Sequence, residues 1–209
     1  MGIEEDLLAR WAALARPGTE HVGEDLVRRY REPHRHYHTV EHLAAMLRVI
    51  DELAAGADDP DAVRYAAFFH DAIYAVDRDD NEARSAELAE TTLRELGLPE
   101  DLVREVVRLV LVTAAHAPEA GDRNGGVLCD ADLAILAAGE SAYAAYASAV
   151  RAEYAHVPDD LYRKGRSAVL ANLAALPQLF HTDTGRERYE SVARANLAAE
   201  LARLSGRAG

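Results

Sequence analysis

Along this chain apolar side chains recur every three or four residues between short polar or Gly/Pro interruptions, a period that predicts about nine or ten helices. Residues 3–15 and 19–30 read as two opening helices parted by Arg16-Pro17-Gly18, and Pro33 closes the second. Leu43, Met46, Leu47, Ile50 and Leu53 share one face of a helix over 39–54, ended by the segment from Gly56 to Pro60. A helix over 61–71 carries Val63, Ala66, Ala67 and His70 on one side, and 74–80 is a polar loop. The next helix opens at Asn81, runs to Leu96 and stops at Gly97. Pro99 hands over to another, whose Leu102, Val106, Leu109 and Val110 make a buried stripe, with His116 just past its end. Residues 117–126, with Gly121, Gly125 and Gly126, form the longest stretch without a period and are expected to make a flexible rim over a site. A short helix over 130–136 and long ones at about 140–155, 159–176 and 186–204 complete the chain.

Composition narrows this to an all-α protein. Ala and Leu dominate and β-branched runs are short, while 209 residues at 49% hydrophobic suit one large domain better than two. No internal repeat or low-complexity segment interrupts it. The formal net charge of −13 argues against a nucleic-acid duplex as partner, because such binding rests on Lys and Arg displacing counterions. A small phosphate ester stays open, since a metal ion and a few arginines override the global field inside a pocket. The single cysteine, Cys129, can form no intramolecular disulfide and follows Val127-Leu128 as a small hydrophobe, which fits a reducing cytoplasm. The first residues carry Glu4, Glu5 and Asp6 where a secretory signal needs basic ones, and no segment offers about 18 uninterrupted apolar residues. A cytoplasmic protein with no membrane partner is therefore expected.

Candidate chemistry gathers where the apolar periods end. It comprises Arg35-His36-Tyr37-His38, His42, Phe68-Phe69-His70-Asp71, His116 and Asp130-Ala131-Asp132. Imidazole and carboxylate are the ligand types expected for Zn, Mn, Fe or Ni, and a site short of six protein ligands leaves positions for water and substrate. Asp71 after an apolar run is costly to bury unless a cation or hydrogen bonds satisfy it. The plainer explanation of His70-Asp71 is a helix C-terminus at which the imidazole caps carbonyls and the carboxylate faces water. His38 and His42 are one turn apart and can face the same direction, with Thr39 a possible N-cap between them. His21, His34, His36, His156 and His181 read as surface residues.

Taken in order, Arg35-x-x-His38, then His70-Asp71, then Asp132, in a helical chain, this set resembles the HD superfamily of metal-dependent phosphohydrolases. PHRHYHTVEHL, FHDAIYAVDRDDNEARSA, TAAH, CDADLAILA, YAAYASAVRAEY and YRKGRSAVL are similar to the predicted metal-dependent HD phosphohydrolase family of bacteria, over roughly residues 25–200. The resemblance implies a single HD-type helical bundle, with the helices of residues 3–30 packed on its core. It also implies one divalent cation held by His38, His70, Asp71 and Asp132, with Mn, Ni, Co, Fe, Zn and Mg not distinguished. The Arg-x-x-His phase favours His38 over His42. His42 and His116 then become candidates for a second metal or a phosphate contact, although His116 is equally a helix-end residue in a polar loop.

The implied activity is hydrolysis of a small phosphorylated metabolite, a nucleotide or related ester, by metal-activated water. Glu82 and Asp77 are candidates for the base. Glu82 also suits the first turn of a helix, where the dipole favours acids, and Asp130 suits a cap or an orienter of Asp132. Arg35, Arg151, Tyr154, Tyr162, Lys164 and Arg166 are expected to meet substrate phosphates, guanidinium forks matching phosphate geometry best. Arg151 pairing with Glu153 or Asp159 on a solvated face is the alternative. Three other readings remain: a non-catalytic HD module that binds a nucleotide or a partner protein around a structural metal, a di-iron oxygenase using His42 or His116, and a bundle with scattered histidines. The amphipathic terminal helices leave a homodimer possible.

Overall fold

A computed structural model describes residues 2–206, and among these the chain forms ten α-helices, two short 3-10 turns and no strand. The helices are α1 (Ile3–Leu14), α2 (Glu20–Arg29), α3 (Val40–Leu53), α4 (Pro60–Phe69), α5 (Asn81–Glu95), α6 (Glu100–Val112), α7 (Arg123–Leu133), α8 (Glu140–Glu153), α9 (Asp159–Ala175) and α10 (Asp183–Gly206). The 3-10 turns follow α3 at Ala54–Gly56 and α7 at Ala134–Ala137. Helices α1, α3, α4, α6 and α7 bury a first apolar core, with α2 on α1 and α5 paired to α6. A second, smaller core joins the 134–137 turn, α8, α9 and α10.

Local chemistry explains where these elements start and stop. Asp59 caps α4 by accepting from the amides of Asp61 and Ala62 (3.2 and 3.0 Å), and Pro60 occupies the first turn, where its missing N–H costs nothing. At the end of α5, Gly97 adopts a φ of 68°. Its N–H bonds Arg94 O and that of Leu98 bonds Leu93 O (2.9 and 3.1 Å), closing the helix with a left-handed residue that glycine tolerates best. Trp11 of α1 fixes the end of α4. Its ring meets Phe68 and Phe69 edge-on, with centroids 5.2 and 6.2 Å away, which sets the direction in which the chain leaves that helix at His70.

Several boundaries differ from the sequence reading. Helix α2 ends at Arg29, one residue short of the expected 30, and the residues up to Arg35 form turns. Helix α4 ends at Phe69, which leaves His70 as its C-cap and Asp71 beyond it. The expected flexible rim over 117–126 is shorter, because α7 starts at Arg123 and takes Gly125 and Gly126 into its first turns. Asp122 explains the early start. It accepts from the Gly125 amide at 2.9 Å and is gripped by Arg108 through two bonds of 2.6 and 3.0 Å. A cap anchored to another helix thus outweighs the low helix propensity of two glycines.

Candidate metal centre

Three helix ends deliver the His/Asp cluster to one point. His42 comes from the first turn of α3, His70 from the C-cap of α4 and Asp132 from the last turn of α7. One donor atom from each lies within 4.8 Å of the others, so the group could hold a metal ion. His42 Nε2 is 3.2 Å from His70 Nε2 and 3.3 Å from Asp132 Oδ1, and Asp71 Oδ2 is 3.1 Å from His70 Nε2. His116 Nε2 lies 2.7 Å from the other oxygen of Asp132.

Hydrogen bonds behind the cluster settle which way the donors face. His70 Nδ1 donates to Ala67 O at 2.8 Å, a bond inside its own helical turn, so Nε2 is the ring nitrogen that faces His42. The buried Tyr30 hydroxyl sits behind the same ring, 3.3 Å from Ala67 O, and accepts from the Asp71 amide at 3.3 Å. Two imidazole nitrogens face each other across 3.2 Å beside two carboxylates, out of bulk water. Such a set of nitrogen and oxygen donors could hold a metal ion.

Proton affinities respond to the same crowding. Burial alone would lower His70, yet Asp71 and then Asp132 lift it to about 9. Burial lowers His42 despite its bond to Asp132. Asp71 and Asp132 would be raised by burial, but the histidines override it: His70 and His38 hold Asp71, and His116 and His42 hold Asp132, well below the usual carboxylate range. The cluster is thus built to keep both carboxylates charged.

His38 stands beside this group. Its Nδ1 is 2.8 Å from Glu153 Oε2, and its Nε2 is 4.0 Å from Asp71 Oδ2. Glu153 is the residue that sequence reasoning missed. Its buried Oε1 accepts from the amides of His36, Tyr37 and His38 (2.9, 2.8 and 3.0 Å), and Oε2 also accepts from the Tyr74 hydroxyl at 2.8 Å. Burial would raise this carboxyl, but His38 and these amides bring it down to about 2. A signal was present: Glu153 is the final residue of α8, where the helix dipole disfavours an acid.

His70, Asp71 and Asp132 of this group line the floor of a cavity of about 740 Å3, with His42 behind them, and the predicted substrate contacts distribute unevenly around it. His38, His116, Glu82, Tyr154, Tyr162 and Arg166 line it. Arg35 does not. Its guanidinium is buried and donates to the carbonyls of His38, Asp71 and Ala72 (3.2, 2.7 and 3.3 Å), bracing the backbone that carries the donors. Arg151 is also outside the lining, engaged with Tyr154 O, Val157 O and Asp159, the last as the sequence alternative had it. Lys164 and Asp77 are exposed and absent from the cavity wall. Asp130 is wholly buried and accepts from the His181 and Thr182 amides and the Thr182 hydroxyl (2.6, 2.9 and 2.7 Å), tying α7 to the start of α10. His116 has a φ of 49°, unusual for a residue with a Cβ, and this turn aims its ring at Asp132.

Fold and site together define an all-α protein with a buried His/Asp cluster that could hold a metal ion. No family model matches the chain, and neither a curated protein nor a solved structure matches it. Among the described residues no single helix is long and apolar enough to cross a membrane.

Proposed function

We propose that this protein is a cytoplasmic metal-dependent phosphohydrolase of the HD type, acting on a small phosphorylated compound. The observation that carries the reading is the convergence of His42, His70 and Asp132, with Asp71 alongside, where His70, Asp71 and Asp132 line a cavity of ligand size. The ordered motifs around Arg35, His38, His70-Asp71 and Asp132 support the same class. A divalent ion bound there would polarise a phosphoryl oxygen and activate water for attack near neutral pH.

The chain's own groups divide the remaining work. His42, His70, Asp71 and Asp132 hold the ion, and His116 orients Asp132. Burial would lower the proton affinity of His38, but Asp71 and Glu153 raise it above the ordinary imidazole value. Its Nδ1 is held by Glu153 at 2.8 Å and the ring lines the cavity, so it is the group placed to protonate a leaving-group oxygen. Arg166 in the lining supplies positive charge for the phosphoryl group, and Glu82 supplies a carboxylate that can take a proton from the attacking water.

Phosphate release from a panel of phosphomonoesters and nucleotides, with Mn2+ or Ni2+ added, tests this directly. Release by the wild type and its loss in His70→Ala are expected. Equal release by both proteins, or by neither, would overturn the assignment.

A further inference from the structure

Apart from its acidic floor, the cavity presents rings and aliphatic carbon. Tyr37, Tyr74, Tyr146, Tyr154 and Tyr162 line it. The Tyr74 hydroxyl is already committed, donating to Glu153 at 2.8 Å, and the Tyr146 ring lies under the Arg166 guanidinium, 5.1 Å from its carbon to the ring centroid. The Thr113 hydroxyl in the same lining bonds Val110 O at 2.7 Å. Besides the remaining tyrosine hydroxyls, what these side chains offer a ligand is ring face and hydrocarbon. At the mouth, Leu161 and Val169 are 56% and 51% exposed, two of the few large apolar side chains left open to water among the described residues. A bound apolar body would cover them.

Positive charge is scarce in the same cavity. Arg166 is the one Lys or Arg of its lining among the described residues, and its Nε and Nη2 are committed to Glu200 at 2.8 and 3.1 Å. Asp71, Asp132 and Glu82 add negative charge to the lining, inside a chain of net charge −13. One phosphoryl group can be met by a bound cation and the remaining guanidinium nitrogen of Arg166. Each further phosphoryl group adds negative charge, and the described lining offers no second Lys or Arg to meet it, only neutral donors such as tyrosine hydroxyls and the Asn172 amide.

Building on the hydrolase reading above, we infer that the ligand is a phosphomonoester with one terminal phosphoryl group on an aromatic or flat apolar body. Polyphosphates and small polar phosphates fit the site less well. On hydrolysis a water oxygen bonds phosphorus, the ester P–O bond breaks, and the leaving oxygen takes a proton, which releases inorganic phosphate and an apolar hydroxy compound.

Calorimetric binding of phenylphosphonate, methylphosphonate and pyrophosphate to the full chain, with Mn2+ in excess over each ligand, reads the ligand class without needing turnover. Phenylphosphonate is expected to bind about tenfold tighter than methylphosphonate, the order of effect for seating one ring against aromatic faces. It is also expected to bind tighter than pyrophosphate. Tyr154→Phe, which keeps the ring, should preserve this order, while the exposed Leu161→Ser should narrow the phenyl preference without unfolding the protein. Equal binding of the phenyl and methyl compounds, or tighter binding of pyrophosphate, overturns the inference. Phosphate release from phenyl phosphate is measured alongside. If the binding order holds but nothing is released, the hydrolase reading fails alone; if release occurs and the order is reversed, the ligand class fails alone.

Discussion

The donors of the cavity floor and the side chains of its far wall rest on different parts of the molecule. His42, His70 and Asp71 stand on the larger core of α1 to α7, and the bond that turns the His70 ring is made within its own helical turn, to Ala67 O. Tyr146, Glu153, Tyr154, Tyr162 and Arg166 belong to α8 and α9 or the turn between them, beside the smaller core. Their positions depend on distant partners: Glu153 reaches back to residues 36–38, and Arg166 and Tyr143 both close on Glu200. Asp132 lies where the two cores meet. A floor fixed locally and a wall fixed at long range should fail in different ways when single residues are removed.

The largest effect is expected on the floor. The double variant His70→Ala with Asp132→Ala removes two of the three clustered donors, and elemental analysis of the purified protein should show bound divalent metal falling from stoichiometric to background. Glu200→Ala, which disturbs only the wall, should keep its metal. Equal content in wild type and double variant would end the case for a metal floor.

Glu153→Ala tests the long-range attachment. It strands three amides, the His38 imidazole and the Tyr74 hydroxyl, and urea unfolding should show a loss of about 3–5 kcal/mol, as for one partner removed from a buried charged network. A loss below about 1 kcal/mol would mean that the segment holds itself in place, since that is the worth of one ordinary hydrogen bond.

The same carboxylate predicts an acid limb. Its pKa falls from 4.5 to about 2 on folding, so the stability it confers is fully present above about 4.5 and disappears as pH drops toward 2. Integrated over that window the contribution is about 3 kcal/mol. Glu153→Gln should flatten this part of the stability-pH curve, and an unchanged curve would detach the effect from Glu153.

Gly185→Ala probes the junction of the two cores. A Cβ there would collide with Asp130 Oδ2, so a loss of about 1–3 kcal/mol is expected, with metal content unchanged. The smallest effect belongs to Arg94→Ala, whose bonds to Glu90 and Glu100 are on the surface. No measurable shift in the unfolding midpoint is expected, and a clear shift would show that surface pairs matter here more than the two cores suggest.

Legibility in the sequence followed the range of the interactions involved. Helices α1, α2, α3, α5, α8 and α9 were readable to within a residue or two, because each carries an apolar stripe and ends at glycine, proline or a polar run. The start of α7 was not, because the Asp122 cap draws its strength from Arg108 on another helix. The choice between His38 and His42 could not be made from spacing. His38 precedes α3, which begins at Val40, so the two never share a helical phase, and the backbone turn before the helix carries His38 toward Glu153 while His42 meets His70. The roles of Arg35 and Arg151 were equally hidden, since a guanidinium reads the same whether its partners are substrate phosphates or backbone carbonyls.

By itself, then, the sequence determined that the chain is helical and that histidine and aspartate stand at the ends of its apolar periods, both of which follow from short-range periodicity and residue chemistry. Only the tertiary structure decided that His42, His70 and Asp132 share one point, that Glu153 anchors the segment bearing His38, and that Arg166 faces the cavity while Arg35 braces its backbone. The reason is physical: convergence depends on how helices cross, which is set by the volumes packed between them and by contacts between residues far apart in the chain.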